Sequence, residues 1–129
     1  MGEVFKYSGT IFSPNYPVPY PDDTLCVWRL YVPNKRMKIK VVDFELRGSS
    51  MGDASDDYCY FYMDHVEISD GWLLQENVYC GNQTAFEFYS DLGLMYVRFR
   101  TIPTGVRGKR GFKAHFEAVD PLVLGICAV

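Results

Sequence analysis

Residues 59–81, CYFYMDHVEISDGWLLQENVYCG, decide how the chain is read. Within them Asp64-His65-Val66-Glu67-Ile68-Ser69 alternates with the period of two that a half-buried strand requires, and Val66 and Ile68 fall on one face. Asp70-Gly71 supplies a turn, after which a short apolar run ends at Tyr79-Cys80-Gly81. Cys59 and Cys80 stand 21 positions apart and bracket a strand, a turn and a second strand, so they read as one disulfide closing a hairpin-like unit. A loop of that length contributes about 3 kcal/mol in the chain-entropy account. Two separate buried thiols are the alternative.

The same period of two recurs on either side. Residues 3–12 read as a strand or a strand pair. Cys26, Trp28 and Leu30 alternate with Val27, Arg29 and Tyr31. Met37, Ile39 and Val41 point inward between Arg36, Lys38 and Lys40, and Phe44 and Leu46 resume that face one step out of phase. The slip predicts a bulge at Val42-Asp43. Downstream, residues 85–89 form a strand, and Met95, Val97 and Phe99 face inward between Tyr96, Arg98 and Arg100. Phe112, Ala114, Phe116 and Ala118 then alternate with Lys113, His115 and Glu117. No window sustains a 3.6-residue period, so the chain reads as an all-β antiparallel sandwich of two sheets.

Three segments between these strands cannot be strands themselves. Residues 13–21 hold Pro14, Pro17, Pro19 and Pro21, each without an amide donor, which makes a rigid extended loop whose Tyr16 and Tyr20 pack onto the sheet edge. Residues 47–58 are polar and acidic, with Asp53, Asp56 and Asp57, and read as a mobile surface loop. Residues 102–111 carry Pro103, Gly105, Gly108 and Gly111, and read as a third loop.

At 129 residues the chain is one domain, placed at 1–119, with 120–129 as a tail or clipped linker. An apolar fraction of 48% excludes disorder, and 10 Tyr with 9 Phe suit pleated, half-buried surfaces. Net charge −3 favours neither nucleic acid nor an anionic membrane. The bracketed cysteine pair points to an oxidising compartment, and Asn82-Gln83-Thr84 is a glycosylation sequon, which together read as a secreted glycoprotein or an ectodomain. Met1-Gly2-Glu3 leads into Val4 without an apolar leader and reads as the start of an excised domain, while residues 121–129 are far short of the ~20 a membrane span needs.

An enzyme finds little support in these residues. His65 and His115 both fall on outward faces and read as surface residues. No His/Cys cluster has zinc spacing, there is no nucleophile elbow or phosphate-cradling glycine loop, and the acidic loop lacks the calcium-loop pattern. Arg107-Gly108-Lys109-Arg110 looks like a basic processing site, but cutting there would sever the last strand, so a structural or binding role is preferred. Arg36, Lys38, Lys40, Arg98 and Arg100 form a basic stripe if their strands share a sheet, and scattered charges if they do not.

Gly9-Thr10-Ile11-Phe12-Ser13-Pro14-Asn15-Tyr16-Pro17, Tyr20-Pro21, Cys26-Val27-Trp28, residues 64–71, Tyr79-Cys80-Gly81 and residues 111–116 come in the order found in the CUB domain, which the chain resembles over residues 2–119. The resemblance implies a jelly-roll sandwich of two five-stranded sheets and no catalytic residues. It also implies an extracellular protein–protein recognition module of a larger secreted or membrane-anchored protein. A glycan or glycosaminoglycan binder, or the exosite of a multidomain protease, is the alternative. The first cysteine of the family falls before this chain, which leaves its usual partner, Cys26, free or paired with Cys127. The calcium-binding members use a tyrosine, a glutamate and two aspartates. Tyr20 and Asp64 match, but Arg47 and Ile102 stand in place of the other two, so no metal or other cofactor is expected. The partner surface is then expected at the loop end. Tyr16, Tyr20 and Tyr58 are its anchors, Met51, Asp56, Asp57, Arg107, Lys109 and Arg110 lie around them, and Arg47 and Asp64 support them from beneath.

Overall fold

The computed structural model describes residues 7–47, 63–70, 77–90, 93–102 and 108–119, together with the backbone of 2–4. These residues form nine strands: β1 (Gly2–Val4), β2 (Ser8–Phe12), β3 (Leu25–Tyr31), β4 (Arg36–Glu45), β5 (His65–Ser69), β6 (Val78–Tyr79), β7 (Phe86–Tyr89), β8 (Leu94–Arg100) and β9 (Gly111–Val119). They make two sheets, ordered β1-β3-β8-β5-β6 and β2-β9-β4-β7. Among the described residues the second sheet thus has four strands, where the resemblance implied five. Every pairing is antiparallel except β1 with β3.

The alternating residues meet between the sheets. Leu30, Met37, Ile39, Ile68, Met95, Val97, Phe99 and Ala114 are fully shielded from solvent. Burying one such Leu, Ile, Val, Phe or Met side chain contributes about 1.5–3 kcal/mol. Phe112 holds the layers in register, edge-on to Trp28 at 5.7 Å and tilted against Phe99 at 5.5 Å. The phase slip in β4 is a real register shift against β9, between Val41 and Asp43. It turns Val42 and Asp43 away from the core and returns Phe44 to it.

Two expectations are corrected here. β5 is buried along both faces and not half-buried: His65, Glu67 and Ser69 are as shielded as Val66 and Ile68. β5 lies inside its sheet, between β6 and β8, and Glu67 meets Arg98 across the ladder at 3.4 Å. A period of two reports which side chains share a face, and not what lies over that face. The basic stripe also divides, because β4 and β8 belong to different sheets and Arg36, Lys38 and Lys40 cannot share a face with Arg98 and Arg100.

Candidate functional site: the loop end of the sandwich

Strand register brings the ends of the three segments read as loops to one end of the sandwich. Leu25 and His65 both stand opposite Arg100, and Glu45 stands opposite Gly111. The segments that leave β2, β4 and β8 and enter β3, β5 and β9 therefore start side by side.

A buried carboxylate ties four of them together. Asp64 is 0% exposed. Its Oδ2 accepts the Tyr20 hydroxyl at 2.7 Å, and its Oδ1 accepts the Ile102 amide at 2.9 Å. The Tyr20 oxygen in turn accepts the Arg47 amide at 2.8 Å. The Arg47 guanidinium lies alongside, with Nε 3.6 Å from Asp64 Oδ2, and both Nε and Nη2 are buried without a hydrogen-bond acceptor. A carboxylate withdrawn from water needs donors and a counter-charge, and this arrangement supplies both. It does not suit calcium, which takes several oxygen ligands. A cation already lies beside Asp64, Ile102 offers no oxygen side chain, and no group of three metal-binding side chains occurs among the described residues.

A second brace sits at the surface of the same end. The Arg110 guanidinium grips Asp43 at 2.6 and 2.7 Å and Glu45 at 2.7 Å, and the Arg110 amide reaches Glu45 at 3.3 Å. The Tyr16 hydroxyl donates to Asp43 Oδ2 at 2.5 Å. Arg110 holds the Asp43 carboxyl below its ordinary pKa, with the Tyr16 hydrogen bond assisting, while the same bond to Asp43 pushes the Tyr16 phenol up. The proline-rich loop is thereby fastened to the β4 bulge and to the entrance of β9. Ser13 adds a backbone link, its amide donating to the Phe112 carbonyl and its hydroxyl accepting the Phe112 amide, both at 3.0 Å.

Tyr16, Arg47, Asp64, Lys109 and Arg110 are thus gathered at one end, with Tyr20 below them. Tyr20 is only 2% exposed, packs edge-on against Phe99 and spends its hydroxyl on Asp64, so it is a support and not an anchor. Arg110 is committed to Asp43 and Glu45, neither of which the sequence marks as a residue of this site. Their signal was the phase slip in β4, which turns Asp43 outward. Met51, Asp56, Asp57, Tyr58, Cys59, Arg107 and Cys127 lie outside the described residues. Cys80 is disulfide-bonded, whereas Cys26 is a free thiol, 3% exposed, whose pKa burial pushes up. Asn82 is exposed at a bridge to Glu45. His65, read as a surface residue, is 3% exposed. Burial lowers its pKa, against the opposing pull of the Met63 carbonyl, 2.9 Å from Nδ1, and of Glu67.

The family model of the CUB domain matches residues 1–116. Tolloid-like protein 2 of Mus musculus is 34% identical over 119 residues, an alignment that covers 89% of this chain and 11% of that protein. Cubilin of Sus scrofa is 33% identical over 119 residues, covering 90% of this chain and 3% of that one. Among solved structures, the CUB1-EGF-CUB2 domains of rat MASP-1 superpose with a TM-score of 0.74 at 29% identity, over 93% of this chain and 43% of that chain. This chain therefore spans 11% or less of the two curated relatives and under half of the solved MASP-1 chain. With the two-sheet architecture, the order of its segments and a family match across residues 1–116, this chain belongs to the CUB domain family.

Proposed function

We propose that this chain is a non-catalytic, extracellular recognition module of a larger secreted or membrane-anchored protein, and that it binds a protein partner through its loop end. The observation that carries this is the double bracing of that end, by the Tyr20–Asp64–Arg47–Ile102 cluster beneath and the Arg110–Asp43–Glu45–Tyr16 brace above. The two braces hold the described ends of these loops, at Arg47, Asp64, Ile102 and Arg110, and loops carried on a rigid frame are where recognition concentrates. Tyr16, Lys109, Met51, Asp56, Asp57, Tyr58 and Arg107 are the proposed contacts. One feature of three relatives supports the reading of a module: the tolloid-like, cubilin and MASP-1 matches each cover only part of a longer chain. The reading includes a Cys59–Cys80 disulfide and a glycan on Asn82.

The test begins with capture of a partner from extracellular fluid and its identification by mass spectrometry. Arg107→Ala with Lys109→Ala, and separately Asp56→Ala with Asp57→Ala, should then weaken binding of that partner while leaving the melting temperature unchanged. If both pairs bind as the parent does and Lys38→Ala with Lys40→Ala abolishes binding, the sheet face is the contact surface and the loop-end reading fails. Peptide mapping that joins Cys80 to any cysteine but Cys59 overturns the disulfide. An unchanged mass after glycosidase treatment of protein secreted from eukaryotic cells overturns the glycan.

A further inference from the structure

β2 is an edge of the four-stranded sheet, with β9 on one side of it and no strand on the other among the described residues. Its hydrogen bonds to β9 decide which way each residue faces. At the ends of the register the Tyr7 carbonyl accepts the Ala118 amide at 2.6 Å, and the Ser13 amide donates to the Phe112 carbonyl at 3.0 Å. Bonded pairs alternate along an antiparallel ladder, so Gly9 and Ile11 also turn toward β9. The amides and carbonyls of Ser8, Thr10 and Phe12 therefore point out of the sheet, and no other described group takes them up.

Edges are ordinarily kept from pairing by charge, proline, a bulge or shortness. The other edges of the two sheets follow that rule. β1 and β6 are three and two residues long, and β7 carries the charge of Glu87. β2 has none of these devices. Ser8–Phe12 holds no charge and no proline, and its register against β9 is unbroken. The strand is also firmly seated, because the Phe116 ring lies 2.7 Å from where a β-carbon on Gly9 would stand. Tyr7 and Phe12, 68% and 46% exposed, leave apolar surface at both ends of it.

We propose that β2 pairs antiparallel with β2 of a second copy of this chain, about a two-fold axis at Thr10, so that the two four-stranded sheets become one. The phase of the free groups selects this register. Thr10 faces Thr10 of the second copy, Ser8 faces its Phe12 and Phe12 faces its Ser8, so every outward amide and carbonyl of β2 meets a partner. A slip of one residue would set outward groups against inward ones. A slip of two would carry Ser8 or Phe12 past the end of the opposing strand. The side chains agree with the same register. Glu117 stands beside Ser8 and Lys113 beside Phe12, so a rung that runs Glu117–Ser8 in one copy continues as Phe12–Lys113 in the second. Opposite charges thus flank the junction, and no like charges face each other directly across it. A strand of unrelated sequence would meet the backbone groups without this match. The surface does not depend on the loop-end reading.

The experiment is sedimentation equilibrium of the intact chain, with amide hydrogen exchange followed by NMR on the 15N-labelled protein. One strand pair is a small contact, so the parent should pass from monomer to dimer between micromolar and millimolar concentration. The amides of Ser8, Thr10 and Phe12, open to water in the monomer, should gain protection of about tenfold or more as the dimer forms. Thr10→Lys and Thr10→Glu each set a charge opposite its own copy at the axis. Each should weaken self-association by about tenfold or more, and an equimolar mixture of the two should restore it. Thr10 is exposed, so both variants should keep the parent's circular dichroism spectrum. The proposal is overturned if the parent is still a monomer at about 1 mM, or if the β2 amides gain no protection. It is equally overturned if Thr10→Lys associates like the parent, or if the mixture associates no better than its components. No captured partner enters the measurement, so its failure leaves the loop-end reading untouched.

Discussion

Asp64 links more of the loop end than any other side chain described, because its two oxygens reach both Tyr20 and Ile102 while Arg47 lies beside it. Tyr20→Phe removes a donor from a buried carboxylate and the acceptor of the Arg47 amide at once. Urea unfolding should show a loss of about 1–3 kcal/mol, and a midpoint equal to the parent's would show that the cluster does not hold. Arg47→Met should cost a similar amount by leaving Asp64 without its cation. His65 gives a separate, pH-dependent effect. Its pKa is lowered from the ordinary 6.5 in the folded chain, chiefly by burial, so the unfolded chain takes up the proton first. The contribution is therefore complete above the unfolded value and is lost as pH falls below about 6.5 toward the lowered folded value. Thermal melts between pH 7.5 and 5.5 should show a smaller drop for His65→Asn than for the parent; parallel curves would exclude His65 as the cause.

At the scale of elements, the bulge in β4 and the entrance of β9 are joined by Arg110. Asp43 is the titrating partner, held below its ordinary 3.8 first by Arg110. A lowered carboxyl pKa stabilises the fold above the unfolded value and is lost as pH falls from there through the folded value. The acid unfolding midpoint of Arg110→Gln should accordingly lie at higher pH than the parent's, by circular dichroism, and coincident midpoints would count against the brace. The entrance of β8 is determined by backbone contact. Gly93 accepts the Val32 amide through its carbonyl at 2.8 Å, and a β-carbon on Gly93 would fall 1.7 Å from the Val32 carbonyl oxygen. No rotamer relieves a collision with backbone, so Gly93→Ala should lower stability by about 2 kcal/mol or more. A denaturation midpoint unchanged by that substitution would mean the two segments separate freely.

For the whole molecule, the rebuilt loop end has a consequence that a melting curve can read. A ligand that binds only the native state must raise its stability, and with Arg47 and Ile102 in place of two carboxylates the described residues of this end offer calcium too few oxygens. The melting temperature should be the same in millimolar calcium and in excess chelator. Arg47→Glu with Ile102→Asp should restore a calcium-dependent rise of several degrees. A calcium-dependent rise in the parent would show that other oxygens complete the site.

The sequence by itself determined the strands, their inward faces and the bulge, because a period of two and its slip are local properties of neighbouring residues. Met37, Ile39, Val41 and Phe44 show this in a single strand. The order of short motifs was also enough to name the family. Which strands share a sheet was beyond its reach, and so the supposed stripe of Arg36, Lys38, Lys40, Arg98 and Arg100 divides between two surfaces. Burial over the outer face was equally hidden: His65 and Glu67 alternate like surface residues and yet are enclosed. The same holds for Tyr20, drawn inward by Asp64, and for the pairing of Arg110 with Asp43, 67 residues apart. Each depends on contacts between segments far apart in the chain, which exist only once loop-closure entropy has been overcome by the core, and no local pattern encodes them.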